Sequence, residues 1–305
     1  MVIVDALGPI FLLVLIGGLF RRINLPGGDF WLRAERLTYF VFFPALLIRS
    51  LAGAEFADLN PGRVLLATTA LLAGVAFLLL LASRGLASSG PGFTSVFQGS
   101  IRFNSYVGFA AAGELWGDAG LAQAALVVAC MVPLVNLLCI SMFALKVQRS
   151  IPLAKQIALN PLIVACLVGI ALNLTGIGVP GWSDPILEIL SRPALPLGLL
   201  AIGVGLSWSD LRAGVAPVIS SSILKLVVLP GLALAVCTGF ALPTAQAAVI
   251  IVFAALPTAS SAYILARQLG GDASLMAAII TFQTLAAMAT MPLILSMLLP
   301  AQFAP

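Results

Sequence analysis

Long apolar runs recur along the whole chain, separated by short polar, glycine- or proline-containing breaks. A helix needs roughly 20 apolar residues to cross hydrocarbon. The runs predict ten such helices, at 3–20, 35–52, 63–82, 92–116, 120–145, 157–176, 186–207, 214–238, 243–268 and 272–299. Two are interrupted. Helix nine carries Ala255-Leu256-Pro257-Thr258-Ala259-Ser260-Ser261 at its middle, where proline removes a backbone donor and clashes with the preceding turn, so the centre is expected to be unwound. Helix four carries Gly99-Ser100-Ile101-Arg102-Phe103-Asn104-Ser105-Tyr106-Val107-Gly108. Lipid does not tolerate such a polar, glycine-bounded stretch, which must face protein or water.

Basic residues give the pattern a direction. With the first helix entering from outside, Arg21, Arg22, Arg33, Arg36, Arg84, Lys146, Arg149, Lys155, Arg212 and Arg267 fall on cytoplasmic connections, against Arg49 and Arg63 outside. The positive-inside bias then places both termini outside the cytoplasm, in the inner membrane if the source is bacterial. The opening apolar run is not a secretory signal, because Asp5 precedes it and Arg21 and Arg22 follow it, the reverse of a signal's charge order.

Composition agrees. Of 305 residues, 61% are hydrophobic and 9% charged, and mean hydropathy is +1.15. A soluble domain is about a quarter charged, so most soluble folds are excluded. The net charge of +4 fits cytoplasmic loops facing the bilayer and implies no nucleic acid partner. Histidine is absent, which removes the usual zinc ligand and general base. Cys130, Cys139, Cys166 and Cys237 lie in apolar segments without a C-x-x-C pair and read as packing residues. Paired aspartates, a serine–histidine pair, a metal cluster and a phosphate loop are all missing, so no catalytic residues, metal or cofactor is expected and the chain does not read as an enzyme.

A shift of 154 residues aligns Asn104 with Thr258, Gly117-Asp118 with Gly271-Asp272, and Leu25-Pro26-Gly27 with Val179-Pro180-Gly181. The chain thus reads as two five-helix units, 1–147 and 148–305. An odd number of spans per unit turns the copies upside down relative to one another. Inverted repeats with matching broken helices point to a secondary transporter with its site near the midplane.

Candidate site residues cluster at the breaks. Arg102 sits about ten residues into helix four, where an arginine costs at least about 2.5–3.5 kcal/mol; it reads equally as a counter-ion for an anionic substrate or as a partner of freed carbonyls. Lys225 in helix eight is a second charge partner under the same two readings. Asn104 offers a donor and an acceptor in the gap between half-helices. The backbone after Pro257, at Thr258, Ala259 and Ser260, offers free N–H groups and a positive dipole end to an anion. The hydroxyls of Ser105, Ser260, Ser261 and Tyr263 can assist. Asp118 and Asp272 read as helix caps, and Asn136 and Gln283 as interhelical hydrogen-bonding groups. Beyond Asp5, no acid is placed near the mid-membrane.

The run from Leu37 to Leu47 containing Pro44, Asn104-x-x-x-Gly108, Asn160-Pro161 with Gly169, and Leu256-Pro257-Thr258-Ala259 with Tyr263 and Ala266 resemble the auxin efflux carrier family, over essentially the whole chain. That family includes plant auxin exporters and bacterial carriers linked to malonate and malate. The resemblance implies an all-α membrane fold of ten helices in two inverted repeats, with helices four and nine crossing at their breaks. It also implies a scaffold of helices one, two, six and seven that can form a homodimer through helices two and seven. The remaining six would make a transport domain moving as an elevator. Anions bind at the crossover in that family, so Asn104 and Pro257 carry over as substrate-binding positions, with Gly108 beside them a further candidate. The bile-acid sodium symporters, with similar crossed helices, are the runner-up, and a ligand-binding receptor without transport is the alternative of another class. Sodium or proton coupling is open, since broken-helix carbonyls can hold a cation without an acidic signature. Helix four has no proline between Pro91 and Pro133, unlike the plant members, so its break rests on Asn104 and Gly108. The long cytoplasmic loop of many plant exporters is replaced by Lys146 to Lys155.

Overall fold

Glycine and proline mark most element boundaries in the computed structural model, which describes residues 2–54, 60–87, 89–148, 159–207, 210 and 214–299. Arg149, Lys155 and Arg212 of the predicted cytoplasmic set lie outside these residues. The described secondary structure is entirely helical.

Val2–Arg22 (α1) leads through a turn to Phe30–Leu37 (α2), a π-helical turn Thr38–Phe42, and Phe43–Ala52 (α3). The second helix therefore starts at Phe30 rather than at 35, because Gly27-Gly28-Asp29 ends the preceding turn before it. Pro61–Leu81 (α4) and the short Ser83–Leu86 (α5) follow. Gly90–Ile101 (α6) and Ser105–Val147 (α7) are separated by three non-helical residues. Within α7, Gly117 at φ 58°, ψ −144° breaks the helical path. At this left-handed position a glycine is favoured, and it folds the predicted helices four and five back without a loop.

The second half comprises Pro161–Leu174 (α8), Asp184–Ser191 (α9), Ala194–Gly205 (α10) and Val215–Ile223 (α11). A second π-helical turn, Leu224–Val228, then leads to Leu229–Gly239 (α12), Thr244–Ala255 (α13), Ser261–Leu269 (α14) and Ala273–Leu298 (α15). Both π turns run into a helix whose second residue is proline, Pro44 or Pro230. Proline takes one N–H out of the ladder, and a widened turn accommodates the loss.

Six helical stretches among the described residues are long and apolar enough to cross a membrane: Ile3–Arg22, Pro61–Leu81, Gly90–Val147, Asp184–Gly205, Val215–Gly239 and Ala273–Leu298. Pro161–Leu174 and Thr244–Ala255 are apolar but shorter. Polarity is turned outside in. Leu12, Leu15 and Leu19 of α1 and Leu66, Phe77 and Leu81 of α4 are exposed, while Gln98, Asn104, Lys225 and Gln283 are buried. Apolar outer faces and a polar interior suit lipid, not water.

Close backbone contact joins the elements. A Cβ on Gly17 would overlap the Leu200 carbonyl, and one on Gly203 the Val14 carbonyl, so α1 and α10 touch main chain to main chain. Small residues allow this approach in membrane helices. α3 packs on α8, and an ion-paired set ties α3 to α9: Arg49 Nε lies 2.9 Å from Asp184 and Arg49 Nη2 3.3 Å from Glu188, whose other oxygen is 2.6 Å from Arg192.

Candidate functional site

The two interruptions meet. α6 ends at Ile101 and α13 at Ala255, 154 positions apart, and the next residues turn out of the helix in the same way, Arg102 at φ −71°, ψ 154° and Leu256 at φ −65°, ψ 148°. Asn104 N–H then donates to the Pro257 carbonyl at 2.9 Å, a backbone bond from one break to the other. Gly108 permits the approach, because a Cβ there would lie 2.8 Å from Leu256 Cδ1 and from Phe253 Cζ. Phe103 meets Phe253 edge to face at 5.3 Å between ring centroids. Helix four thus breaks without a proline. Asn104 does the work locally, its Oδ1 accepting from Tyr106 N at 3.1 Å and Val107 N at 3.4 Å as the cap of α7.

The proposed residues separate into a floor and a rim. Asn104, Gly108, Pro257 and Thr258 are buried, whereas Arg102, Ser105, Ala259, Ser260 and Tyr263 are half-buried. Thr258 does not present a free donor, contrary to expectation: its N–H donates to Gln283 Oε1 at 3.0 Å, and its hydroxyl lies 2.8 Å from that oxygen and 2.9 Å from the Gly99 carbonyl. Gln283 Nε2 donates to the same carbonyl at 2.9 Å. The end of α6, the break and α15 are therefore locked together by one carboxamide, the hydrogen-bonding role expected of Gln283. Asn104 Oδ1 is engaged by the Tyr106 and Val107 N–H groups.

Arg102 reaches across the rim. Its Nη1 donates to Asn136 Oδ1 at 3.2 Å and its Nη2 to Ser261 Oγ at 3.3 Å. Both partners are neutral, and among the described residues the guanidinium has no carboxylate partner within ion-pair distance. Tyr106 stands over the rim, its ring 4.9 Å from Phe43 and against Gly198, where a Cβ would come within 2.6 Å of it. Asn160 caps α8, its Oδ1 accepting from Leu162 N at 2.9 Å. Tyr263 instead carries Arg267 over its ring at 5.9 Å.

Lys225 lies within the second π turn, fully buried, its Nζ donating to the Phe253 carbonyl at 3.3 Å near the end of α13. Asp272 caps α15 through Leu275 N at 2.9 Å as expected, whereas Asp118 accepts no capping bond. The cysteines are free, three of them buried. Among the described residues no group of three or more His, Cys, Asp or Glu side chains could hold a metal.

Sequence reasoning missed Glu35. It had no acid near the crossing, yet Glu35 Oε1 accepts from Ser260 Oγ at 2.8 Å. An earlier start for the second helix would have flagged it, but the contact spans 225 positions and has no local signal.

These crossed breaks are transporter geometry, and the sequence itself carries the same mark: the pattern of the family described as Membrane transport protein matches residues 115–295, more than half of the chain. The chain belongs to the membrane transport protein family. This is the auxin efflux carrier family that the motifs resemble. A protein of Methanothermobacter thermautotrophicus (strain Delta H) named an uncharacterized transporter is 25% identical over 287 residues, covering 93% of this chain and 94% of that one. As a member of the membrane transport protein family with several apolar helices, this chain is a multi-pass integral membrane protein and a transporter.

Proposed function

We propose that this membrane transport protein is a secondary carrier for a small organic anion, a carboxylate such as malonate, malate or an auxin-like acid. The observation that carries the reading is the hydrogen-bonded crossing of two broken helices beside an arginine without an acidic partner. The start of α7 and the start of α14 bring positive dipole ends to one place, and Arg102 adds a full charge. An anion seated there would take the Asn104 amide nitrogen, the Arg102 guanidinium and the rim at Ser105, Ala259 and Ser260, with Tyr263 at the margin. Pro257, Gly108 and Thr258 hold the floor in shape.

The wider architecture follows as part of the same proposal. Counting each half of a broken helix together gives ten spans in two inverted units, 1–147 and 148–305. Helices one, two, six and seven would be the scaffold, pairing through helices two and seven in a homodimer, and the other six would ride past it. The matching backbone angles at Arg102 and Leu256 support the repeat. The close packing of α1 on α10 and α3 on α8 suits a rigid scaffold. Both termini would lie outside the cytoplasm.

Counterflow in proteoliposomes tests the site. Asn104→Ala and Pro257→Ala should abolish exchange of labelled malonate, malate or indole-acetate while leaving the protein inserted and monodisperse. Full exchange in both variants would refute the placement of the anion.

A further inference from the structure

Pro257 removes a donor that another group must supply. In an unbroken helix the N–H of residue 257 would donate to the carbonyl of residue 253, but proline has no N–H. The Phe253 carbonyl, in the last turn of α13, instead accepts from Lys225 Nζ at 3.3 Å. The equivalent carbonyl in the other break, that of Gly99, lies 154 positions earlier. There the chain has left the helix at Arg102, and the Thr258 hydroxyl and Gln283 Nε2 serve the carbonyl, both at 2.9 Å. Each half-helix end is thus closed by side chains from elsewhere in the chain, one by neutral groups and the other by an ammonium.

The ammonium is costly where it stands. Lys225 is fully buried, and the helices around its π turn, α6, α11, α12, α13 and α15, carry no acid. A backbone carbonyl accepts its hydrogen bond but brings no full countercharge. A neutral amide closes the Gly99 carbonyl, so capping alone does not call for a cation.

The charge balance of the crossing does. The starts of α7 and α14 present positive dipole ends, but the ends of α6 and α13 bring negative ones to the same place. Opposed ends leave an anion little net attraction. Two cations tip the balance, Arg102 as the C-cap of α6 and Lys225 on the last turn of α13. Lys225 reaches the site through Phe253, whose ring meets Phe103 at 5.3 Å between centroids and whose Cζ would lie 2.8 Å from a Cβ on Gly108. The Glu35 carboxylate, bonded to Ser260 on the rim, adds to the negative side.

We propose, resting on the carrier reading above, that Lys225 is a positioning residue of the anion site. It stands in for the N–H that Pro257 lacks, and its charge offsets the negative end of α13 for an anion held in the crossing. It does so without touching the anion. Lys225 lies in helix eight, within the six helices assigned to the transport domain, so its charge would accompany the anion through the movement. Anion and ammonium then stabilise each other, which offsets the cost of burying Lys225 in the loaded carrier.

The experiment is counterflow by the full chain in proteoliposomes, with labelled malonate and malate as dianions and indole-acetate and monomethyl malonate as monoanions. Attraction to one fixed charge doubles with the charge of the anion. In Lys225→Met the half-saturating concentration should therefore rise about tenfold for an exchanged monoanion and about a hundredfold for a dianion. Lys225→Arg, which keeps a charge and a donor, should recover the dianions more than the monoanions. The two charge classes are compared within one protein, so a change in the amount folded cancels. Equal rises for both classes would make Lys225 a packing and capping residue only and overturn the inference, as would wild-type half-saturation in Lys225→Met. Either result leaves the carrier reading intact. Absence of counterflow with all four anions from inserted wild type would overturn both.

Discussion

Asn104, Thr258 and Lys225 show how differently three polar residues can serve one crossing. Asn104 caps a half-helix with its oxygen, which accepts from Tyr106 and Val107 N–H. Thr258 is consumed by structure, held with Gln283 on the Gly99 carbonyl. Gln283→Leu would leave Thr258 N–H and the Gly99 carbonyl under-satisfied in a buried place, at a cost of about 1–3 kcal/mol. A clearly lower melting temperature in detergent is expected, and a smaller drop for Thr258→Val, which removes one hydroxyl. Lys225 has the Phe253 carbonyl as its hydrogen-bond partner, and the helices packed around its turn, α6, α11, α12, α13 and α15, contain no acid. Burying an amine with no acid beside it carries a desolvation cost that an apolar side chain of similar length does not. Lys225→Met should therefore melt no lower than wild type, whereas Lys225→Ala leaves a cavity and should melt lower.

The two broken helices carry the proposed site, and their legibility was uneven. The interruption at 256–260 was readable because Pro257 cannot continue a helix. The one at 102–104 was readable from a polar stretch that lipid would reject, even without proline. The ends of the second helix were less so, since Gly27-Gly28-Asp29 is a weaker signal than an apolar run. Side-chain partnerships across the crossing were not legible: Thr258 with Gln283, Arg102 with Asn136 and Ser261, and Glu35 with Ser260 each depend on how separate helices meet. The crossing itself leaves no room for a side chain at Gly108. Gly108→Leu should force Phe253 and Leu256 apart, at about 1–3 kcal/mol, and abolish counterflow in protein that still inserts.

For the whole molecule, apolar surface outside and polar groups within establish a membrane protein, and the family match establishes a transporter. The direction in which the chain threads the bilayer rests on charge. Trp182, 78% exposed between α8 and α9, belongs outside in that scheme and Arg22 inside. In intact cells, Trp182→Cys should react with a membrane-impermeant maleimide and Arg22→Cys should react only after lysis; the opposite pattern would invert the topology. The ion-paired set of Arg49, Asp184, Glu188 and Arg192 would then sit at the outer end of the scaffold. It is partly solvated, with Arg49 40% exposed, so each pair should contribute no more than about 1 kcal/mol.

The central claim is that a small organic anion is carried at the crossing of the two broken helices, and counterflow addresses it directly. Proteoliposomes loaded with unlabelled malonate, malate or indole-acetate are diluted into the labelled anion, with wild type and Asn104→Ala compared at equal insertion. Saturable exchange of at least one anion in wild type, lost in Asn104→Ala, is the predicted result. Exchange that persists undiminished in Asn104→Ala, or no exchange of any of the three by inserted wild type, would contradict it.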